Sequence, residues 1–466
     1  MEVVSVAAQS KMNEKRTLFG TDGIRGVAGE FPLDRLTTRV IGRALGHQLA
    51  RTHKKARVVI GQDTRESSDW IADSLAAGLR EAAVEVQSAG VITTPGIAFL
   101  ARTRDFSAGV VISASHNPWT DNGIKVFGHD GYKLADAAEL AIEREIFEQL
   151  ETSSDKKFAL NGVAHLHGQA ELHQAYTDWL VEHWTPEHAG RLKAVVDCAN
   201  GAASAFAREV FRACGIETAY IHDRPDGKNI NQGCGALHPE VVAKAVLQNS
   251  AHVGVTFDGD ADRCLFADAR GQVVNGDGVL LLVARQFKAA GKLAGDVVVA
   301  TTMSNMGLEA ALRGSGIRML RAPVGDKYVL QEMKESGAVL GGEQSGHIIF
   351  RDGAATTGDG LLTALRVLQI VAESRKPLHE LLADLKVFPQ IIKNVRVREK
   401  KPLDQIPSVV RAIEQAEREL NGSGRVVVRY SGTEALARVM IEAESEEKMK
   451  RFAESISGAI QQHLGV

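Results

Sequence analysis

Short apolar runs alternate with helix-like segments along most of the chain, which is the pattern of β-strands joined by helical crossovers. Three stretches share one plan of strand, helix, strand, helix and strand, with a polar, glycine-bearing loop after the third strand. The predicted strands are residues 57–60, 84–87 and 109–112 in the first stretch, 194–196, 218–221 and 253–257 in the second, and 297–300, 318–320 and 338–340 in the third. The repeat predicts three similar α/β domains.

The segment that follows residue 387 has a different pattern. Short strands are predicted at residues 392–397, 425–429 and 437–444, with amphipathic helices between and after them. We therefore expect a fourth, smaller α+β domain. In open α/β sheets, ligands bind beyond the carboxyl ends of the strands, so the polar loops are expected to face one central cleft.

The composition suits this fold class and argues against several functions. Glycine contributes 45 of the 466 residues and aromatic side chains only 5%, which favours an α/β protein with many turns over an aromatic β-sandwich. The 55 basic and 58 acidic side chains give a formal charge of −3, so no general binding of nucleic acid or anionic membranes is expected. The longest apolar runs are too short to span a bilayer.

Cysteine spacing and the N-terminus indicate the compartment. Cys198, Cys214, Cys234 and Cys264 contain no C-x-x-C pair, which indicates reduced thiols in a cytoplasmic protein rather than a zinc ribbon or a disulfide framework. The first residues lack the basic region that opens a signal peptide. We expect residues 1–16 to form a mobile tail, with Met12 as an alternative start.

The strongest chemical signal is Asp258-Gly-Asp260-Ala-Asp262-Arg263 at the end of a predicted strand. Two charges about 4 Å apart repel by roughly 4 kcal/mol at an effective dielectric of about 20, so three converging carboxylates require a cation. Hard oxygen ligands favour Mg²⁺, which keeps positions open for water or a phosphate oxygen. A solvated acidic turn is the alternative. An EF-hand does not fit, because Arg263 stands where that loop needs glycine.

A second loop, SASHNP, contains Ser115 and is followed by Lys125 in NGIK. A serine at a strand end with a nearby cation suits phosphoryl transfer, in which charge on oxygen must be stabilised. The G-x-S-x-G pattern of serine hydrolases is absent around Ser115. Taken alone, the Ser, Asn and Pro of this loop favour an ordinary turn or a helix start.

Three more loops carry polar groups. GGEQSGH offers acceptors and a titratable donor that suit sugar hydroxyls, and GTDGIRG ends in a cation, Arg25. In RYSGTE, two hydroxyls with Arg429 and the following Arg438 suit a phosphate site. The Ser431-x-x-Glu434 spacing is also a capping box, which predicts a helix start there.

Taken in order, FGTDGIRG, SASHNP, DGDADR, GEQSGH and RYSGTE resemble the α-D-phosphohexomutase superfamily and span most of the chain. PDGKNINQGCG, MSNMGL and VGDKYV resemble the bacterial branch that acts on glucosamine phosphate. The resemblance implies four domains around a central cleft, three of them alike. We place them at residues 17–167 (domain I), 168–272 (domain II), 273–387 (domain III) and 388–466 (domain IV).

The resemblance also implies roles for individual residues. Ser115 would carry a phosphoryl group and, with Asp258, Asp260 and Asp262, would hold one Mg²⁺ per chain, supported by Arg263. Proton transfer and charge stabilisation would fall to Lys125, Arg25, His116 and His347, and which of them is the acid or base stays open.

The substrate would be held at two places. The resemblance assigns the sugar hydroxyls to Glu343, Ser345 and His347, and the phosphate that does not react to Arg429, Ser431, Gly432, Thr433 and Arg438. Departures from the family pattern at Leu237, Lys327, Tyr430 and Ala435 leave every proposed catalytic group in place.

The implied activity interconverts glucosamine 6-phosphate and glucosamine 1-phosphate through glucosamine 1,6-bisphosphate, which feeds the synthesis of UDP-N-acetylglucosamine. The partners would be small sugar phosphates, and the resemblance is compatible with a homodimer. Two alternatives stay open. One is a phosphomannomutase/phosphoglucomutase with the same mechanism. The other is a non-catalytic sugar-phosphate sensor, against which the intact Ser115, Lys125 and aspartates argue.

Overall fold

The computed structural model describes residues 17–152, 165–185, 192–353, 355–431 and 435–466. The predicted tail, residues 1–16, lies outside these ranges, as do Gly432 and Thr433. The chain forms two compact units, one running to Thr302 and resuming at Leu320–Leu382, the other made of Met303–Met319 and Ala383–Val466. Over the described residues, no helix is both long and apolar enough to cross a membrane.

The described residues form the following elements. The strands are β1 (Phe19–Gly20), β2 (Gly23–Val27), β3 (Arg57–Gln62), β4 (Glu85–Val91), β5 (Ala108–Ile112), β6 (Asp121–Gly128), β7 (Lys193–Asp197), β8 (Glu217–Ile221), β9 (Val253–Phe257), β10 (Cys264–Asp268), β11 (Val273–Val274), β12 (Val297–Thr301), β13 (Arg318–Ala322), β14 (Leu340–Gly342), β15 (Ile348–Phe350), β16 (Gln390–Arg396), β17 (Gly424–Tyr430) and β18 (Leu436–Ala443). The helices are α1 (Arg35–Thr52), α2 (Ser68–Glu81), α3 (Thr94–Thr103), α4 (Asp136–Thr152), α5 (Ala170–Glu182), α6 (Ala207–Ala213), α7 (Pro239–Asn249), α8 (Gly276–Ala289), α9 (Met306–Gly314), α10 (Asp326–Ser336), α11 (Gly360–Ser374), α12 (Leu378–Leu381), α13 (Pro407–Leu420) and α14 (Glu446–Leu464).

Three sheets share one strand order, which confirms the predicted repeat. The order is β4-β3-β5-β6 in the first sheet, β8-β7-β9-β10 in the second and β13-β12-β14-β15 in the third. In each sheet the last strand runs antiparallel to its neighbour. Strands β1 and β2 extend the first sheet, and β11 extends the second.

The antiparallel fourth strand of each repeat was not predicted from the sequence. It returns directly after the third strand, so the polar loop is the connection of a β-hairpin. SASHNP lies between β5 and β6, DGDADR between β9 and β10, and EQSGH between β14 and β15. One topological position therefore carries all three motifs.

Helices cover both faces of the first sheet. Val110 and Ile112 of β5 share a core with residues of α1, α2 and α4. On the other face α3 packs closely, since a Cβ at Gly109 would lie 2.7 Å from Ile97. Burial on both faces explains why β5, β9 and β12 are buried along their whole length.

The second unit contains the sheet β16-β18-β17 with α13 and α14, which confirms the predicted α+β region. Helix α9 belongs to this unit because buried Glu442 accepts hydrogen bonds from the Met306 N–H and from Arg425. The helix start that the Ser431-x-x-Glu434 spacing offered falls on residues 432–434, which lie outside the described residues. Strand β17 ends at Tyr430, and β18 begins at Leu436.

Glycines set the close packing of α1 on α2, and this predicts a stability difference. A Cβ at Gly78 would overlap the backbone carbonyl of Arg39, whereas a Cβ at Gly458 of α14 would enter open space. Gly78→Ala should destabilise the protein by about 1–3 kcal/mol through overpacking. Gly458→Ala should stabilise it by roughly 0.5–1 kcal/mol.

Thermal unfolding followed by circular dichroism tests this difference. The midpoint should fall for Gly78→Ala and should hold or rise for Gly458→Ala. An unchanged midpoint in Gly78→Ala would show that the two helices are free to separate.

Candidate active site

Ser115 lies in the connection between β5 and β6 and is buried. Its backbone adopts the left-handed region, with φ of 54°, and its N–H donates to Ser113 Oγ at 2.9 Å. The Ser115 hydroxyl donates to Asp258 Oδ2 at 2.5 Å. The hairpin loops of the first and second sheets therefore meet at this hydroxyl.

Two residues that the sequence analysis missed hold the serine loop. The buried guanidinium of Arg65, paired with Asp63, donates to the carbonyl of Ser115 at 3.1 Å and to that of Asn117 at 2.6 Å. The side chain of Asn231 donates to the Ser115 carbonyl at 2.9 Å. Arg65 lies three residues after the end of β3, so its place in a loop at a strand end was the available signal.

Asp258, Asp260 and Asp262 converge as their spacing predicts. Each carboxylate offers one oxygen within 4.8 Å of the other two, and all three side chains are buried. Among the described residues, none donates a hydrogen bond to Asp260 Oδ1 or Asp262 Oδ1. Buried oxygens without donors fit a divalent cation, so the solvated-turn alternative does not describe this loop.

The pKa values of Asp258 and Asp262 are shifted in opposite directions. Burial and the nearby Asp262 and Asp260 raise the pKa of Asp258 well above its usual value. Burial would also raise the pKa of Asp262, but Lys125 and His347 hold it well below its usual value.

Lys125 on β6 completes the charge balance of this group. Its fully buried ammonium lies 2.8 Å from Asp260 Oδ2, 3.5 Å from Asp262 Oδ2 and 3.0 Å from Asp22 Oδ2. Burial would lower the pKa of Lys125, but these three carboxylates raise it well above its usual value. The side chain is therefore a fixed positive charge beside Ser115.

Asp22, in the turn between β1 and β2, forms ion pairs with three cations. Besides Lys125, its carboxylate binds Arg25 at 2.5 Å through Oδ2 and Lys133 at 2.5 Å through Oδ1. Burial would raise the pKa of Asp22, but the three cations hold it well below its usual value. Arg25 was predicted from the sequence, whereas Asp22 and Lys133 were not, although Asp22 stands inside GTDGIRG.

His116 and Arg263 flank the serine. His116 Nδ1 lies 3.3 Å from Ser115 Oγ, and burial together with Arg263 and Arg25 lowers the pKa of His116. The imidazole is therefore neutral at neutral pH. Arg263 donates its backbone N–H to Asp258 Oδ1 at 3.1 Å.

The hairpin loop of the third sheet brings Glu343 and His347 to the same place. Glu343 Oε1 accepts the Gly325 N–H at 3.1 Å, and His347 Nε2 accepts the Gly358 N–H at 3.0 Å. Burial lowers the pKa of His347, but Asp262 and other carboxylates raise it to about 9. In the neutral ring, Nε2 accepts the Gly358 N–H, so the ring proton lies on Nδ1. The distance from Nδ1 to Asp262 Oδ1 is 3.7 Å.

A cavity of about 380 Å³ inside the first unit is lined by part of this group, whereas Ser115, Lys125, Asp258 and Asp260 are not among its lining residues. It is bounded by loops from the first, second and third sheets, so the predicted convergence of strand ends is present there. The residues that line it are Leu18, Gly20, Thr21, Asp22, Gly23, Arg25, His116, Lys133, Asp262, Arg263, Val324, Gly325, Asp326, Glu343 and His347. Ser345 lies at an exposed position of its loop, apart from this lining.

The predicted phosphate loop lies in the second unit, between β17 and β18. Arg429 and Arg438 stand directly opposite each other on this antiparallel pair. Like charges in that position destabilise a sheet, and an anion bound between them would offset the repulsion. Ser431 is buried and donates its N–H to the Leu436 carbonyl at 2.8 Å.

Four family models match the chain in order. They are described as phosphoglucomutase/phosphomannomutase alpha/beta/alpha domain I, domain II and domain III, and the C-terminal domain of the same family. They match residues 16–153, 174–271, 275–388 and 392–459, respectively. The matches therefore cover most of the chain.

Whole proteins show the same similarity. A phosphoglucosamine mutase of Koribacter versatilis is 61% identical over 453 residues, which is 97% of this chain and 98% of that protein. A phosphoglucosamine mutase of Solibacter usitatus is 52% identical over 97% of this chain and 99% of its own length. The crystal structure of a phosphoglucomutase/phosphomannomutase family protein from Burkholderia thailandensis superimposes with a TM-score of 0.78 at 25% identity, covering 96% of this chain and 99% of that one.

Proposed function

The chain belongs to the phosphoglucomutase/phosphomannomutase family of α-D-phosphohexomutases, and we propose that it is a phosphoglucosamine mutase. It interconverts glucosamine 6-phosphate and glucosamine 1-phosphate, the latter a precursor of UDP-N-acetylglucosamine. The observation that carries the mechanism is the 2.5 Å hydrogen bond from Ser115 to Asp258 within a buried group of carboxylates and cations. The 61% identity to a relative with this name supports the choice of an amino sugar.

The residues that would hold a metal are Asp258, Asp260 and Asp262, with an oxygen of phosphorylated Ser115. We propose Mg²⁺ there, one ion per chain, because the donors are hard carboxylate oxygens, two of which accept no hydrogen bond from described residues. When bound, Mg²⁺ neutralises charge on the oxygens of a transferring phosphoryl group. Arg263 supports the site through its backbone hydrogen bond to Asp258.

Ser115 is the phosphoryl carrier. In the first step its Oγ–P bond breaks while a P–O bond forms to the free hydroxyl of glucosamine 6-phosphate, and the proton of that hydroxyl passes through His116 to the departing Ser115 Oγ. The product of this step is glucosamine 1,6-bisphosphate. In the second step the 6-phosphoryl group passes to Ser115 Oγ, and the serine proton passes through His116 to the 6-oxygen that the phosphoryl group leaves. Glucosamine 1-phosphate leaves.

The neighbouring cations would stabilise charge, and the imidazoles would transfer protons. Lys125 and Arg25 are fixed charges that stabilise the phosphoryl oxygens. His116 is the candidate base for the sugar hydroxyl, because it is neutral and lies 3.3 Å from Ser115 Oγ. His347, which also lines the cavity, is a second candidate acid.

The substrate contacts follow from the same residues. Glu343 and His347 line the cavity and would hold sugar hydroxyls, while Ser345 would have to turn in from its exposed position. Arg429, Ser431 and Arg438 would bind the phosphate that does not react, with Gly432 and Thr433 of the same loop.

The domain bounds at residues 17–167, 168–272, 273–387 and 388–466 are part of this proposal. A homodimer, a cytoplasmic location and the absence of nucleic-acid or membrane partners stay predictions.

Metal binding should be visible as stabilisation. Mg²⁺ that binds only the folded protein raises the thermal midpoint, and Asp260→Asn should lose most of that increment because it removes one charged ligand. Asp268→Asn is the matched control, since Asp268 is a buried aspartate of β10 that bonds to loop N–H groups instead. Differential scanning fluorimetry with and without Mg²⁺ measures both increments. Equal increments in the two variants would contradict the assignment.

Substrate choice is tested by kcat/KM for the 1-phosphates of glucosamine, glucose and mannose, with Mg²⁺ and a trace of bisphosphate. We expect the amino sugar to be preferred at least about tenfold, as specific polar recognition allows. A preference for glucose or mannose would favour the phosphomannomutase/phosphoglucomutase alternative. Failure to convert any of the three, with Ser115 phosphorylated, would favour the sensor. Ser115→Ala should remove turnover of all three.

A further inference from the structure

Lys133 stands on a rigid part of the cavity wall. It forms a β-bridge with Phe127 of β6, the strand that also carries Lys125. The flanking Leu134 N–H donates to the Val126 carbonyl at 3.3 Å, and Tyr132 accepts the Gly128 N–H at 2.8 Å. Side chains placed on such fixed backbone are suited to precise positioning of a ligand.

The ammonium of Lys133 lies between two carboxylates from different segments. Its Nζ donates to Asp22 Oδ1 at 2.5 Å and to Asp326 Oδ2 at 2.6 Å. An ammonium has three N–H donors, and these two carboxylates are its acceptors among the described residues. The side chain keeps 23% of its surface exposed and lines the cavity, so the third donor is available to a ligand there.

From this geometry we propose that Lys133 is a further substrate-binding residue, which donates a hydrogen bond to an oxygen of the sugar phosphate. The proposal rests on the proposed function and names a contact within it. The charged residues that line the cavity support this contact between Lys133 and the substrate. Asp22 and Asp326 line the wall next to Asp262 and Glu343, and four carboxylates would repel an anionic substrate. Lys133 offsets two of them and supplies a donor at the same point.

A second lysine–aspartate pair already joins the chain segments that contain Lys133 and Asp326. Lys327 binds Asp136, joining the same two chain segments that Lys133 and Asp326 join. That second pair is exposed, by 41% and 50%, and lies apart from the cavity lining. The chain therefore contains a matched control in which a lysine–aspartate pair joins these segments without access to the ligand.

Isothermal titration calorimetry with glucosamine 1-phosphate tests the proposal. All proteins carry Ser115→Ala, so that no turnover occurs. Lys133→Met should weaken the Kd about 10- to 100-fold, the expected loss for a charge-assisted hydrogen bond. Lys327→Met should stay within threefold of its parent. Comparable weakening in both variants would overturn the proposal, as would a Kd within threefold of the parent in Lys133→Met.

A double variant separates substrate contact from charge balance. Lys133→Met/Asp326→Asn removes the cation together with one of the carboxylates that it offsets. Its Kd should remain weak if Lys133 contacts the substrate, and recovery to within threefold of the parent would overturn the proposal. Titration with inorganic phosphate locates the acceptor. A parallel loss indicates a phosphate oxygen, and an unchanged phosphate Kd indicates a sugar hydroxyl.

The two proposals fail in different experiments. Binding is measured without turnover, so the Lys133 inference is judged by the Kd values alone. The proposed function is judged by conversion of glucosamine 1-phosphate in the protein with Ser115 intact. A protein that binds this sugar phosphate without converting it would contradict the proposed function and leave the Kd comparison valid.

Discussion

The structure depends on the burial of three carboxylates within 4.8 Å of one another. Asp258, Asp260 and Asp262 repel each other in a medium that screens charge poorly, so their positions require compensation. Lys125 supplies part of it and is itself tied to Asp22, which in turn binds Arg25 and Lys133. The fixed charges beside Ser115 are thus a consequence of the conditions that allow the aspartate loop to be buried.

The repeated sheet brings these charges together. Each repeat adds an antiparallel strand directly after its third strand, so SASHNP, DGDADR and EQSGH become hairpin connections at equivalent positions. Hydrogen bonds join these loops. The Cys264 N–H, directly after DGDADR, donates to the Gly346 carbonyl of EQSGH at 3.1 Å, and the Ser115 hydroxyl of SASHNP donates to Asp258. The N–H groups of Thr94 and Gly360, at the starts of α3 and α11, donate to the carbonyls of Asp260 and Ala261. Main-chain and side-chain hydrogen bonds together therefore connect DGDADR to the loops of the first and third sheets.

Local patterns predicted the fold well and the supporting contacts poorly. Continuous apolar runs such as β9 are recognisable because both faces are buried, and all twelve predicted strands are present with small shifts in their ends. Strand β6 was missed because DNGIKVFG begins with turn-forming residues. Arg65, Asp22 and Asn231 were missed because their partners lie far away in the chain.

The most direct test of the account is a single-turnover experiment with protein labelled at Ser115 by a radioactive phosphoryl group. With excess unlabelled glucosamine 6-phosphate and Mg²⁺, the account predicts that the label leaves the protein, appears in glucosamine 1,6-bisphosphate and then in glucosamine 1-phosphate. The protein regains an unlabelled phosphoryl group from the 6-position. Label that stays on the protein while product forms, or that leaves only as inorganic phosphate, would contradict the assignment of Ser115 as the phosphoryl carrier.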